Sequence, residues 1–223
     1  MTELLVIRHG ETDWNRQHRF QGQIDVALNA LGQIQAQRLA QRLQGEAADA
    51  LVCSDLRRAA ATAQPLADAL GLVPQTDPLW REQHFGILEG LDVPTIRRDH
   101  AALWAQWTHH RADYALPDGA ESNLDFHARV MQALHSVVNR YPDQRVIVVT
   151  HGGVLDMLWR SAQGQSLDGP RQCEIPNTGI NRLRWQAGVV SVLAWADDAH
   201  LHGLPSQPST AQRAHDAGSL SQL

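Results

Sequence analysis

The stretch Leu4-Leu5-Val6-Ile7-Arg8-His9-Gly10-Glu11-Thr12 joins a short apolar run to a polar turn that contains glycine. An apolar run of this length predicts a buried strand, because it is too short for a helix and rich in aliphatic residues. Ligands of open α/β sheets bind at the carboxyl ends of the strands. The stretch therefore places Arg8 and His9 where a ligand would bind.

The same arrangement recurs twice further along the chain. Residues 145–150 predict a strand that runs into His151-Gly152-Gly153, and residues 50–54 predict a strand before a helix at 57–70. Arg58 lies in the first turn of that helix, where the helix dipole disfavours a cation. A cation in this position is reasonable if it shares an anionic ligand with the helix terminus. Arg8 lies at the end of a buried run, where a guanidinium loses its hydration. It therefore needs an anionic partner.

Helical patterns alternate with these strands. Asn29 is a predicted N-cap for a helix whose apolar face carries Leu31, Ile34, Leu39 and Leu43. Residues 122–141 predict the clearest helix, with Ser122 and Asp125 as a capping box. A hairpin is predicted at 180–195. The alternation predicts an α/β fold of three αβα layers, with a mainly parallel sheet, an antiparallel edge and a helical insertion over the site.

The chain is expected to form a single domain over residues 1–202. An insertion at about 91–122 carries Trp104, Trp107 and Tyr114 and is predicted to be helical and to lie over one end of the sheet. From residue 203 to 223 the composition shifts to Ser, Gln, Pro, Ala and Gly. Such a segment cannot bury enough apolar surface to offset its ordering entropy, so a flexible C-terminal tail is expected.

Composition excludes several classes of partner. The 223 residues carry a formal net charge of −5, so no broad basic face is expected for nucleic acid or an anionic membrane surface. The two cysteines, Cys53 and Cys173, cannot form a disulfide framework or a four-cysteine zinc site, which favours a reducing compartment. Neither a membrane span nor a basic leader is evident. A soluble, cytoplasmic protein is therefore expected.

No cofactor or metal ion is expected either. The chain has 12 histidines, but the adjacent pair His109 and His110 would not converge on one ion from a helix. The glycines that follow the first strand do not form the G-x-G-x-x-G pattern of a dinucleotide loop. An anionic ligand held by side chains remains the best interpretation of the site.

Further motifs follow the first stretch in a fixed order over roughly residues 3–195: Asn15, Gln21-Gly22, Ser54-x-Leu56-x-Arg58-Ala59-x-x-Thr62-Ala63, Glu82-x-x-x-Gly86-x-x-Glu89-Gly90, Gly119-x-Glu121-Ser122 and His151-Gly152-Gly153. Together with Arg8-His9-Gly10-Glu11-Thr12 they closely resemble the signature of the histidine phosphatase superfamily, also called the phosphoglycerate mutase-like family. The resemblance implies that residues 1–202 form a catalytic domain.

The resemblance also implies roles for single residues. His9 matches the phosphorylated nucleophile, Arg8, Arg58 and His151 match its phosphate clamp, and Glu82 matches the general acid and base. The resemblance implies, with less specificity, substrate-binding positions at Asn15, Gln21, Gly22 and Gly152. Two arginines and a second imidazole could stabilise the charge that spreads over the phosphoryl oxygens without a metal ion. His9 must then be neutral at its attacking nitrogen, whereas His151 is expected to be cationic.

Three functions are compatible with these residues. The leading hypothesis is a metal-independent hydrolase that acts on a small phosphorylated metabolite through a phosphohistidine. The alternatives are a phosphoglycerate mutase-type phosphotransferase with the same nucleophile and a non-catalytic module that binds a phosphorylated ligand. The insertion offers only Arg97, Arg98 and Arg111 as basic groups for a second anion, which favours the hydrolase. The oligomeric state and the identity of the substrate stay open.

Overall fold

The computed structural model describes residues 1–206 and contains a six-stranded sheet. Its strands, in chain order, are β1 (Thr2–Arg8), β2 (Ala50–Cys53), β3 (Pro74–Thr76), β4 (Arg145–Thr150), β5 (Ile180–Gln186) and β6 (Val189–Asp197). Across the sheet they lie in the order β3-β2-β4-β1-β5-β6. Neighbouring strands from β3 to β1 pair in parallel. Strand β5 pairs antiparallel with both β1 and β6. The prediction of a mainly parallel sheet with an antiparallel edge is confirmed.

Helices connect the strands and cover both faces of the sheet. They are α1 (Asp13–Arg16), α2 (Ala30–Leu43), α3 (Arg57–Leu70), α4 (Val93–Asp99), α5 (Ala101–Thr108), α6 (Asn123–Arg140) and α7 (Gly152–Gln163). Short 3₁₀ turns occupy Pro78–Trp80, Gly86–Leu88 and Ala199–Leu201. The helix predicted at 57–70 is confirmed at both ends. The strand β3 was missed, because three residues that begin with a proline give no alternating pattern.

Alternate residues of β1 supply two separate cores. Leu4 and Val6 face a cluster that contains Phe126 and Leu134 of α6 and Leu155 and Leu158 of α7. Leu5 and Ile7 face the opposite cluster, to which Leu39 and Leu43 of α2 and Leu66 of α3 belong. Successive side chains of a strand point to opposite faces, so a continuous apolar run is required when both faces are covered. Each fully buried aliphatic side chain stabilises the fold by about 1.5–3 kcal/mol.

Two helix starts agree with their predicted caps. The side chain of Asn29 accepts a hydrogen bond from Gly32 N, and that of Ser122 accepts one from Asp125 N. The Asp125 carboxylate, however, accepts from the Ser122 hydroxyl at 2.6 Å, so the pair bonds through its side chains. The predicted apolar face of α2 was wrong at Ile34, which is 47% exposed. The buried face of α2 instead includes the small residue Ala36.

The insertion forms α4 and α5, as predicted. The rings of Trp104 and Trp107 stack with centroids 5.3 Å apart, and Phe20 packs edge-on against both. Phe20 also exchanges backbone hydrogen bonds with Leu91 and Gly90 at the start of the insertion. Since Phe20 precedes the loop that carries Gln21 and Gly22, the insertion packs directly against a predicted binding loop.

The C-terminal edge of the sheet is the predicted hairpin. Its turn, Ala187 and Gly188, has positive φ angles of 50° and 82°, which match a two-residue hairpin turn. Beyond it, the flexible tail predicted at 203–223 lies outside the described residues from position 207 onward. No helix within residues 1–206 combines the length and the apolar composition that crossing a lipid bilayer requires.

Candidate active site

The register between β1 and β4 brings the two strand-end histidines together. Arg8 pairs with Thr150, and the backbone N–H of His9 donates to Thr150 O at 2.8 Å. The rings of His9 and His151 therefore lie side by side, with centroids 5.2 Å apart. Both side chains are buried. The two strand-end histidines thus meet at the same edge of the sheet.

His9 is oriented by the backbone of the next residue. Its Nδ1 lies 2.7 Å from Gly10 O, and a carbonyl oxygen can only accept, so Nδ1 carries the proton. The Nε2 atom then keeps its lone pair in the neutral ring. Burial lowers the pKa of His9 well below its ordinary value, and the positive charges of Arg58 and Arg8 lower it further. The structure therefore supplies the neutral imidazole that a nucleophile needs.

His151 is held between Arg58 and Ser54. Nε of Arg58 donates to Nδ1 of His151 at 3.2 Å, and Nε2 of His151 lies 2.8 Å from Ser54 Oγ. Because an arginine can only donate, Nδ1 is unprotonated and Nε2 is the donor to Ser54. Burial lowers the pKa of His151 well below its ordinary value, with Arg58 as the next cause. A cationic His151, as expected from sequence, thus requires proton uptake with the phosphate, whose charge raises the pKa.

Arg58 is fully buried and anchors the binding loop as well as His151. Its terminal nitrogens donate to Ile24 O at 2.9 Å and to Gly22 O at 2.6 Å. Burial lowers the pKa of Arg58 to about 10, so the guanidinium stays charged at neutral pH. A guanidinium has five N–H groups. Three of them are engaged by His151 and the two carbonyls, which leaves two for a phosphate oxygen.

Arg8 approaches the same place from the other strand. Its Nη1 donates to Ile175 O at 2.7 Å, and its side chain is buried. A methyl group on Gly152 would lie 3.5 Å from Arg8 Nε, so the guanidinium lies against the first residue of α7. The structure thus brings Arg8, His9, Arg58 and His151 into one cluster at the carboxyl ends of β1 and β4.

Glu82 reaches this cluster at the N-terminus of α7. Both carboxylate oxygens accept from Gly153 N at 3.1 Å, and Oε1 also accepts from Gln83 N at 2.9 Å. Backbone N–H groups at a helix N-terminus bind anions readily. A methyl group on Gly153 would lie 2.3 Å from Oε1, so this position must be glycine for the carboxylate to lie here.

Arg129, which sequence reasoning missed, holds the segment that carries Glu82. It donates to Leu79 O and Arg81 O at 2.9 Å and to Glu82 O at 3.0 Å. Its Nε and Nη2 also form a bidentate ion pair with Glu121, at 2.6 and 2.7 Å. The Glu121 carboxylate also accepts from His84 N at 2.9 Å.

The predicted loop positions are ordered mainly by one another. Asn15 Oδ1 accepts from Thr12 N at 3.0 Å, and the Thr12 hydroxyl donates to Gln21 Oε1 at 3.0 Å. Asn177, a second residue that sequence reasoning missed, donates to His9 O at 2.8 Å and to Asn15 Oδ1 at 3.4 Å. These bonds link α1, β1 and the segment before β5. The binding roles of Asn15 and Gln21 stay predictions.

Gly22 shapes the loop through its backbone. Its φ is +49°, and a methyl group there would lie 1.8 Å from Glu89 Oε1. That same oxygen accepts from Gln23 N and Phe85 N at 3.0 Å. Only glycine allows both the left-handed conformation and this close approach. Its carbonyl oxygen is thereby presented to Arg58, while a direct contact with substrate stays a prediction.

Neither the histidines of residues 1–206 nor the two cysteines belong to a group that could hold a metal ion. Within residues 1–206, no three His, Cys, Asp or Glu side chains are arranged to hold a metal ion. Cys53 and Cys173 are buried free thiols. Burial raises the pKa of Cys53 to about 11 and that of Cys173 to about 12, so both thiols stay protonated at neutral pH.

Comparisons with known proteins point to one family. The family model of the histidine phosphatase superfamily (branch 1) matches residues 4–198. Phosphoglycerate mutase-like protein 4 of Arabidopsis thaliana is 36% identical over 203 residues, 89% of this chain and 86% of that protein. A mycobacterial glucosyl-3-phosphoglycerate phosphatase, solved with VO3, is 31% identical with a TM-score of 0.75, and the match covers 87% of this chain and 98% of that one.

A further solved structure is the phosphoserine phosphatase of Entamoeba histolytica in complex with 3-phosphoglyceric acid. It is 25% identical, with a TM-score of 0.79, and the match covers 90% of this chain and 100% of that one. Fold and site together therefore define an enzyme of the phosphatase or phosphoglycerate mutase-like class. The chain belongs to the histidine phosphatase superfamily.

Proposed function

We propose that this chain is a phosphomonoester hydrolase that works through a phosphohistidine on His9 and requires no metal ion. The observation that carries the proposal is the hydrogen bond from His9 Nδ1 to Gly10 O, which leaves Nε2 as a lone-pair nucleophile. Arg8, Arg58 and His151 surround that ring and supply the donors that a transferring phosphoryl group needs.

The reaction would proceed in two balanced steps. In the first, Nε2 of His9 forms a bond to phosphorus while the ester P–O bond breaks, and Glu82 gives a proton to the departing oxygen. In the second, water attacks phosphohistidine, the P–N bond breaks, and the Glu82 carboxylate accepts the proton of the water. Inorganic phosphate leaves, and both His9 and Glu82 return to their starting states.

A mutase that uses the same nucleophile is the second candidate, supported by the Arabidopsis relative named as phosphoglycerate mutase-like. The hydrolase is favoured by two features. The two solved relatives described above are named as phosphatases. In addition, two arginines of the insertion that could have bound a second anion, as a mutase requires, pair with aspartates instead. Arg98 pairs with Asp99 at 2.7 Å and Arg111 pairs with Asp113 at 2.8 Å.

We also propose that residues 1–202 act as one catalytic domain on a small phosphorylated metabolite in the cytoplasm. The family match over residues 4–198 supports the extent of that domain. Two buried, protonated thiols are compatible with a reducing compartment.

The proposal is tested by assaying a panel of phosphomonoesters with and without EDTA, for the wild type, His9→Ala and the control His109→Ala. His109 is an exposed histidine outside the cluster. We expect His9→Ala to lower kcat/KM by about 10³-fold or more, and we expect EDTA and the control to have no effect. Loss of activity in EDTA would contradict the metal-free mechanism.

Quenching during turnover separates the proposed intermediate from other phosphoenzymes. Label from a phosphate-labelled substrate should stay on the wild-type protein in alkali and be lost in acid, as a phosphoramidate requires. Acid-stable label would count against His9. A mutase assay with 3-phosphoglycerate, run beside phosphate release, decides between the two functions. Mutase turnover that exceeds hydrolysis would reverse their order.

A further inference from the structure

Arg171, which lies between α7 and β5, borders the proposed phosphate site. A methyl group on Gly152 would lie 3.5 Å from Nη1 of Arg171 and 3.5 Å from Nε of Arg8. The two guanidiniums therefore lie against the same small surface at the start of α7. The sequence showed no motif around Arg171, so this proximity comes entirely from the fold.

A buried ion pair on α7 holds the backbone that leads to Arg171. Arg160 and Asp156 pair at 3.1 Å, with side chains only 4% and 8% exposed. The terminal nitrogens of Arg160 also donate to the carbonyl oxygens of four residues in the preceding segment: Ser166, Asp168, Gly169 and Pro170. Because four of the five carbonyls at 166–170 accept from one buried guanidinium, the backbone before Arg171 is held firmly.

The guanidinium of Arg171 is only weakly satisfied by protein groups. Its nearest carboxylate is that of Asp156, at 3.9 Å from Nε, and that carboxylate already pairs with Arg160. Within residues 1–206, the buried Nε of Arg171 has no hydrogen-bond partner. The side chain is 27% exposed, so a ligand can reach it. An unsatisfied buried donor calls for an explanation, and a water, an ion or a bound ligand can supply the missing acceptor.

Arg171 and Glu82 both lie at the start of α7, next to adjacent glycines. Glu82, the proposed proton donor to the leaving oxygen, accepts from Gly153, the residue next to Gly152. The segment before Arg171 is also joined to the insertion, since Ala112 N donates to Asp168 Oδ1 at 2.7 Å and Gly169 N donates to His110 O at 2.9 Å. Arg171 thus lies where α7 meets the insertion.

We propose that Arg171 is a specificity residue that binds a carboxylate on the leaving group of the substrate. A guanidinium fork matches a carboxylate in geometry and charge. The inference rests on the proposed function and narrows its substrate class to phosphorylated hydroxy or amino acids. The substrate carboxylate would then be bound by the segment before β5 and not by the insertion. Arg98 and Arg111 of the insertion already pair with neighbouring aspartates.

Two matched pairs of substrates test this assignment. The first pair is 3-phosphoglycerate and glycerol 3-phosphate, which differ by a carboxylate against a hydroxymethyl group. The second pair is phosphoserine and phosphoethanolamine, which differ by the carboxylate alone. For Arg171→Gln we expect kcat/KM to fall about 10- to 100-fold on the carboxylates, chiefly through KM, and to change less than about twofold on their partners. Arg111→Gln, in the insertion, is the matched control and should change neither.

Inhibition by inorganic phosphate shows whether Arg171 acts on the transferred group instead. We expect Arg171→Gln to leave this inhibition unchanged. Equal losses on both members of each pair, with weaker phosphate inhibition, would overturn the assignment and make Arg171 part of the phosphate clamp. Unchanged kinetics on all four substrates would also overturn it and leave only the ion pair with Asp156.

Binding measured without turnover separates this inference from the proposed function. In a His9→Ala background, 3-phosphoglycerate should raise the Tm more than glycerol 3-phosphate does, and Arg171→Gln should remove the difference. If the wild type hydrolyses none of the phosphomonoesters of the full panel while this difference persists, the proposed function fails and the carboxylate site stands. If turnover is normal and the difference is missing, the carboxylate site fails alone.

Discussion

Nε of Arg58 lies 3.2 Å from Nδ1 of His151, so a single guanidinium N–H sets the tautomer of the second histidine. The terminal nitrogens of Arg58 hold the carbonyls of Gly22 and Ile24. One buried cation therefore orients an imidazole, fixes the binding loop and keeps two N–H groups for the phosphate. A lysine has neither the fork nor the reach to make these contacts together.

Arg58→Lys should accordingly lower kcat/KM by about 100-fold or more, since removing one oriented donor to a developing anion costs that much. The neighbouring Arg57 is exposed and provides the matched control. Steady-state kinetics of Arg57→Lys should stay close to wild type, with circular dichroism to check that both variants fold. Equal losses in the two variants would show that Arg58 has no special role.

The stability of the protein should depend on pH through its two buried histidines. The folded-state pKa values of His9 and His151 lie well below the ordinary value, mainly because of burial. Below about pH 6.5 the unfolded chain then binds more protons than the folded protein. The free energy of unfolding is therefore highest above that pH and decreases as the pH falls. At pH 5.5 each histidine should lower the free energy of unfolding by on the order of 1 kcal/mol.

Urea unfolding at pH 7.5 and 5.5 measures this dependence. His9→Asn and His151→Asn should each reduce the pH-dependent loss of stability by on the order of 1 kcal/mol, whatever their effect on absolute stability. Other histidines, including His110 and His200, also have lowered pKa values because of burial, and they contribute equally in all variants. His109→Asn is the exposed control. A variant with the full wild-type dependence would show that its histidine binds a proton as readily in the folded state as in the unfolded chain.

Glu82→Gln tests proton donation to the leaving group. We expect kcat on alkyl phosphates to fall by about 10²- to 10⁴-fold, because the departing alkoxide needs a proton. Hydrolysis of p-nitrophenyl phosphate should fall far less, since its leaving group is already a stable anion. Glu46→Gln, a change in a surface ion pair with Arg182, should leave both rates unchanged. Equal losses on both substrates would instead assign Glu82 to phosphate-site structure.

Glu121→Gln should act on the reaction through the segment that carries Glu82. The substitution weakens the bidentate ion pair between Glu121 and Arg129. Arg129 in turn donates to the carbonyls of Leu79, Arg81 and Glu82. We expect kcat on alkyl phosphates to fall about tenfold with little change in KM, and stability to fall by on the order of 2 kcal/mol. Activity on p-nitrophenyl phosphate should be nearly unchanged, which a general structural defect would not produce.

A surface pair gives the comparison for that result. Asp99→Asn removes the exposed partner of Arg98 and should leave both the free energy of unfolding and kcat nearly unchanged. Chemical denaturation and kinetics on both substrates measure the two variants side by side. If Glu121→Gln slowed the two substrates equally, the role of Glu121 as a positioning residue for Glu82 would be wrong.

Several site residues could not be found from sequence because their contacts cross long stretches of chain. Arg129 reaches the backbone of residues about fifty positions away, and Asn177 bonds to His9 from the other end of the chain. Neither stands beside a strand end or in a recognisable motif. The prediction that Ile34 of α2 is buried was wrong for a related reason. Periodicity indicates an apolar helix face, but it does not show how much of that face the rest of the protein covers.

The sequence by itself determined the alternation of strands and helices, the helix caps at Asn29 and Ser122, and the strand-end placement of His9 and His151. These features depend on hydrophobic period and on hydrogen bonds between near neighbours, which are local. Only the tertiary structure decided that β1 and β4 are adjacent, which ring nitrogens carry protons, and that Arg129 and Arg171 lie beside the site. Those facts depend on packing between segments that are distant in sequence. The donor and acceptor roles of a histidine nitrogen are set by the partner that the folded chain places beside it.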